Sequence, residues 1–92
     1  MTAAPPELTD PRRKRLFFRC LHRGTHEADL LIGGFARETL AAMSDAEVDR
    51  FEALLEEPDL DILGWIMGDR PIPPEHDNDI MSRLKNYRYS VD

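Results

Sequence analysis

Residues 43–68 read MSDAEVDRFEALLEEPDLDILGWIMG, and this stretch decides the fold. Ser44 and Glu47 stand three apart, the pattern of a reciprocal capping box. Met43 and Val48 flank that box as a hydrophobic staple. Val48, Phe51, Leu54 and Leu55 then recur at helical spacing, which predicts a helix with one buried stripe. Pro58 ends it, because the residue before a proline avoids helical geometry. A shorter helix is expected over residues 59–67. Its Leu60, Leu63, Trp65, Ile66 and Met67 are too many for one narrow stripe, so burial on more than one side is expected. Gly68 is a natural C-terminal stop.

The same signals continue outward. Asp10 followed by Pro11 is a helix start, with the aspartate as cap and the proline where its missing N–H costs nothing. This first helix runs to about residue 22, with Leu16, Phe17, Cys20 and Leu21 on one side, and Gly24 breaks it. Thr25 caps a second helix, and Glu27 and Asp29 suit its N-terminal dipole. Its stripe is Ala28, Leu31, Ile32, Phe35, Ala36 and Leu40. Gly33 and Gly34 inside it point either to close helix packing or to a flat patch for a partner. Residues 70–77 hold Pro71, Pro73 and Pro74 and read as an extended connector. A fifth helix follows over about residues 78–87, with Ile80, Met81, Leu84 and Tyr87 inward. Leucine occurs eleven times and valine twice, and no stretch alternates with period two for long enough to make a strand. The expectation is therefore an all-α, compact five-helix bundle over residues 10–88. A flexible arm (1–9) precedes it and a short tail (89–92) follows.

The chain of 92 residues, 41% hydrophobic and 33% charged, is long enough for one modest core. No run approaches the roughly 18 apolar residues of a spanning helix. The N-terminal segment has no apolar run like that of a secretory signal and is not Arg-rich. The reading is a soluble protein of the bacterial cytoplasm, without membrane insertion, or an already processed chain. The net charge of -6 is unevenly spread. Arg12, Arg13, Lys14, Arg15, Arg19 and Arg23 are half of the basic residues. Between residues 45 and 61 lie eight acids against Arg50 alone. A dipolar molecule is expected, with a basic face toward an acidic partner and a solvated acidic face.

Few residues suggest chemistry. Cys20, His22, His26 and Glu27 are close in sequence, but the histidines flank the Gly24 break and no second ligand pair exists. That pattern is expected to be a buried thiol and two surface histidines rather than a zinc site. Cys20 faces the expected core, which argues against a thiol nucleophile. The cluster Arg12, Arg13, Lys14 and Arg15 would allow nucleic-acid binding by a small regulatory domain, the runner-up reading. A pI of about 5.0 argues against it. The informative segment is Arg23-Gly24-Thr25-His26-Glu27, at a tight junction of two helices. Gly24 permits a sharp turn and a close approach by another backbone. Arg23 offers a planar fork of donors, and Glu27 is free to cap or to accept from a partner. An internal Arg23–Glu27 pair that merely fixes the corner is the alternative.

The segment HRGTHEADLLIGGFA (22–36), together with the spacing from Met43 and Ser44 to Gly68, resembles the succinate dehydrogenase assembly factors, also called flavinators of succinate dehydrogenase. The resemblance covers roughly residues 12–84. It rests on Arg-Gly-x-x-Glu at Arg23, Gly24 and Glu27, with Asp29, Phe35, the stretch Leu54-Leu55-Glu56-x-Pro58-Asp59-x-Asp61, and Trp65 before Gly68. Ala28 and Gly64 depart from the usual pattern by being small. The resemblance implies a five-helix bundle that is not an enzyme and holds no cofactor or metal. It implies binding to the flavoprotein subunit of succinate dehydrogenase, and of fumarate reductase in bacteria, with promotion of covalent FAD attachment to a histidine of that subunit. Arg23, Gly24, Glu27 and Asp29 are then expected to face the partner, with Arg15 and Arg19 supporting docking. The free chain is expected to be a monomer that binds no nucleic acid.

Overall fold

The structure is a computed structural model that describes Leu8 and residues 10–87. Five α-helices follow in order: α1 (Pro11–Leu21), α2 (His26–Thr39), α3 (Asp45–Leu55), α4 (Asp59–Met67) and α5 (Asp79–Asn86). Two 3-10 turns, Leu40–Ala42 and Pro74–His76, lie in the connections, and no strand occurs among the described residues. The expected all-α bundle is what forms. Leu8 packs against the core. The rest of the expected arm, Arg88 and the expected tail lie outside the described residues.

The helix ends form where capping chemistry puts them. Asp10 accepts from the Arg13 backbone at 3.2 Å, Thr25 from Ala28 at 3.3 Å, and Asn78 from Met81 at 3.2 Å. The Ser44–Glu47 capping box closes in both directions, at 2.8 and 3.2 Å. Gly68 ends α4 with φ of 82°, the left-handed conformation that favours glycine.

One core unites the bundle. Leu16 and Cys20 of α1 meet Ala28, Ile32, Phe35 and Ala36 of α2, with Val48, Phe51, Leu54, Ile62, Ile80, Met81 and Leu84 from the other helices. Burying each large apolar side chain is worth about 1.5–3 kcal/mol relative to exposure. Phe35 meets Phe51 edge-on at 5.6 Å and Tyr87 at 5.8 Å. The glycine pair serves close packing. A methyl group at Gly33 would stand 2.9 Å from Leu21, and one at Gly34 would stand 2.5 Å from the Tyr87 hydroxyl.

Three expectations are corrected. First, α4 is covered less widely than its composition suggests: Ile62 and Trp65 are buried and Leu63 and Ile66 half-buried against the core, while Leu60 is 70% and Met67 53% exposed. Second, the basic and acidic segments do not form separate faces, because arginines of α1 pair with the acidic segment. Arg12 pairs with Asp49 and Glu52, Arg13 approaches Asp45, and Arg19 pairs with Glu56. Third, the proline-rich connector is not simply extended. Its 3-10 turn places His76 in the core, where Nε2 lies 2.8 Å from Glu57 and the ring stands 5.5 Å from that of Trp65.

Candidate functional site

The corner between α1 and α2 is built by a few short-range bonds. Gly24 has φ of 105°, which L side chains rarely adopt. A side chain there would meet nothing within 4 Å, so the position opens outward. Asp29, one turn into α2, accepts from the Arg23 backbone N–H at 2.8 Å and closes the turn. Thr25 closes it from the other side as the α2 cap.

Arg23 then fastens the corner to the junction of α3 and α4. Its Nε donates to Asp59 at 2.7 Å, its Nη1 to the Leu55 carbonyl at 2.9 Å, and its Nη2 to the Glu57 carbonyl at 3.0 Å. Every guanidinium nitrogen is thereby engaged. The Arg23 and Asp59 side chains are only 10% and 14% exposed. The last carbonyls of a helix have no partner within it, and a planar fork suits them together with a carboxylate; Arg19 also reaches the Leu55 carbonyl, at 3.5 Å. The internal partner of Arg23 is thus Asp59 and not Glu27. Among the sequence-predicted site residues, Arg23 and Asp29 are tied into the fold, whereas Gly24 and Glu27 are exposed.

Glu27 sits in the first turn of α2, where the helix dipole favours its negative charge. It lines an open groove of about 360 Å³ with Leu60, Leu63, Gly64, Met67, Asp69 and Arg70. Arg70 lies over Gly64, its Cδ 3.1 Å from where a side chain would begin, and its guanidinium pairs with Asp61. The departure at Gly64 is therefore filled by the Arg70 stem. A second groove, of about 380 Å³, lies on the other side of Arg23 and Asp59, between Phe18, His22 and Pro58. Phe18 is 61% exposed and stacks on His22 with ring centres 4.0 Å apart. Of the two expected docking arginines, Arg15 is exposed and has no partner among the described residues, while Arg19 donates to Glu56 at 2.8 Å.

The exposed apolar residues Phe18, Leu60 and Met67 were not singled out as site residues by sequence reasoning. For α4 a signal existed. Leu60, Leu63 and Met67 form one helical stripe, and Ile62, Trp65 and Ile66 form another. Two positions along a helix turn it by roughly 200°, so the stripes face opposite ways. Spacing alone does not say which stripe is buried.

His22 and His26 are both exposed, on either side of the Gly24 turn. Among the described residues no group of His, Cys, Asp or Glu is arranged to hold a metal ion. Cys20 is fully buried, and desolvation pushes its thiol up to about 12 against the pull of Arg23 and Arg19. Among the described residues no helix is long and apolar enough to cross a membrane.

Comparison with known proteins places this arrangement. The family model described as flavinator of succinate dehydrogenase matches residues 14–88. A protein of Acetobacter pasteurianus named FAD assembly factor SdhE is 41% identical over 73 residues, covering 79% of this chain and 67% of that protein. Succinate dehydrogenase assembly factor 2, mitochondrial, of Mycosarcoma maydis is 43% identical over 67 residues, 73% of this chain and 28% of its own length. The protein of that name from Candida glabrata is 36% identical over 85 residues, 88% of this chain and 56% of its own length. The chain thus spans about two thirds of the Acetobacter relative and from about a quarter to about half of these two fungal ones. By the extent of the family match and by these identities, the chain belongs to the family of flavinators of succinate dehydrogenase.

Proposed function

We propose that this protein is an assembly factor that binds the flavoprotein subunit of succinate dehydrogenase and promotes covalent attachment of FAD to a histidine of that subunit. The names of its relatives support the activity, and one structural observation supports the site. Arg23 locks the α1–α2 corner, leaving Gly24 open to solvent beside an exposed, unpaired Glu27. Gly24 lets another backbone come close, and Glu27 offers a charge that sets register. Arg23 and Asp29 act by holding these two in place. Arg15 adds a cation on the neighbouring helix that has no partner among the described residues, and Arg19 a cation shared with Glu56.

In this reading the bond forms between groups on the partner, and this chain supplies no catalytic group. Its one thiol is buried and held protonated. Its residues act by binding the flavoprotein conformation in which the acceptor histidine and the flavin are aligned. Such binding raises the population of that conformation, provided it is bound more tightly than the others. Fumarate reductase is a second client in this reading, the protein works as a monomer, and its compartment is the bacterial cytoplasm. The nucleic-acid alternative is not favoured: Arg12 and Arg13 are engaged inside the fold, which leaves only Lys14 and Arg15 of the cluster.

The test is to express the cognate flavoprotein in cells lacking this protein and restore it as wild type or as Gly24→Arg. In-gel flavin fluorescence after denaturation reports covalent FAD. Wild type is expected to restore the signal and Gly24→Arg to leave it at the level of the empty cells. Full signal without the protein would refute the proposal for that client.

A further inference from the structure

Leu60 and Met67 of α4, flanking the half-buried Leu63, form an apolar surface that the described residues leave uncovered. An exposed leucine alone means little. Here three apolar residues share one helix face, two of them more than half exposed, in a bundle whose other large side chains are mostly buried. The face is continuous with the corner, because Glu27 lines the same groove. Its charge is also distinctive. Among the described residues only the carboxylates of Glu27, Asp69, Glu75 and Asp77 have no hydrogen-bond or ion-pair partner within the chain. Glu27 and Asp69 both border this groove. The one cation on its rim, Arg70, is already paired with Asp61. The groove therefore joins an apolar floor to two unneutralised acids.

We infer that this groove receives a segment of the client flavoprotein in which an apolar side chain sits beside a lysine or arginine. The apolar side chain covers Leu60 and Met67, and the cation pairs with Glu27 and Asp69. The inference rests on the assembly-factor reading and extends its contact surface from the corner onto α4. Docking at two adjacent points fixes the orientation of the corner on the client, which a single glycine and a single carboxylate do not.

The test measures binding of the purified full-length chain to the purified flavoprotein subunit by titration calorimetry. The variants are the double substitution Leu60→Asp with Met67→Asp, the single Glu27→Gln, and Ala41→Asp as a control. Ala41 is exposed beyond the far end of α2. Circular dichroism melts check that each variant is folded. The expected result is an affinity at least about tenfold weaker for the α4 double variant and a control within about twofold of wild type. Wild-type affinity should also fall with salt more steeply than that of Glu27→Gln. An α4 double variant that binds as wild type does, while Glu27→Gln binds weakly, would overturn the extension onto α4 and leave the assembly-factor reading standing. A wild-type chain with no measurable binding would overturn both. Sedimentation equilibrium provides a further arm: a wild-type dimer that the α4 substitutions dissociate would show that a second copy covers the face, and would also overturn the inference.

Discussion

Helices α1 and α4 exchange the roles that their compositions suggest. The first helix carries the arginine cluster and reads as a charged docking face. In the fold three of its four arginines turn inward: Arg12 to Asp49 and Glu52, Arg13 to the Leu40 and Met43 carbonyls, and Arg19 to Glu56, while Arg15 stays exposed. The fourth helix is mostly apolar and reads as core, yet Leu60 and Met67 on one of its two apolar stripes are more than half exposed. The difference teaches that charge density and hydrophobicity do not by themselves tell surface from interior. What decides is whether a neighbouring element offers a complementary face. The basic helix found an acidic neighbour within its own chain, whereas Leu60 and Met67 of α4 found no cover among the described residues.

The largest test of this contrast lies at Arg23. Its side chain is nearly buried among Asp59 and two carbonyls, so Arg23→Ala takes the partner from the nearly buried Asp59 carboxylate and from the Glu57 carbonyl. Destabilisation of about 3–5 kcal/mol is expected, close to the lower end of a small domain's total stability of about 5–15 kcal/mol. Glu27→Ala, in the same motif, should change stability by less than about 1 kcal/mol, the size of a helix-dipole contribution. Urea unfolding of the two variants checks both. Equal losses would break the division of the motif into a clamp and a contact residue.

The two stripes of α4 give the next comparison. Ile62→Ala should cost about 2–5 kcal/mol, as deletion from a packed core does. Leu60→Gln should stay within about 0.5 kcal/mol, as for a surface site. A large loss for Leu60→Gln would mean that the outer stripe is not free.

The inner face of α1 gives a smaller effect, and one that depends on pH. Burial raises the Cys20 thiol from 9.0 to about 12. The unfolded chain therefore ionises this thiol first. The stabilisation from keeping it neutral is complete below about pH 9 and is lost as pH rises toward 12. Tyr87 acts in the same direction, raised from 10.0 to about 12 by desolvation first and then by its hydrogen bond to Glu38. Stability measured by urea unfolding should fall with alkaline pH, and less steeply in Cys20→Ala. A native thiol that reacts with a disulfide reagent as fast as an unfolded one would contradict this burial.

Local signals made most of the fold legible. Asp10-Pro11, Thr25, the Ser44–Glu47 box, Pro58 and Gly68 each act on their own few residues, and each ends or starts a helix where expected. The motif corner was legible for the same reason, since Gly24 marks its own turn. Long-range partners were not legible. Nothing in the sequence pairs Arg23 with Asp59, thirty-six residues away, in preference to Glu27. The buried position of His76, inside a proline-rich connector, likewise depends on Trp65 and Glu57 from other elements. The outward stripe of α4 was visible as spacing, but its exposure depends on what packs against the helix.

The central claim is that the exposed corner acts by contact, with Glu27 touching the client and Arg23 holding the corner in place. The most direct measurement is the rate of covalent FAD attachment to purified flavoprotein subunit, with purified wild type or Glu27→Gln added over a range of concentrations. The account predicts a Glu27→Gln protein with an unchanged melting temperature that needs about tenfold more protein to reach the same rate, equivalent to about 1.4 kcal/mol of lost contact. A folded Glu27→Gln that matches wild type at every concentration would contradict it.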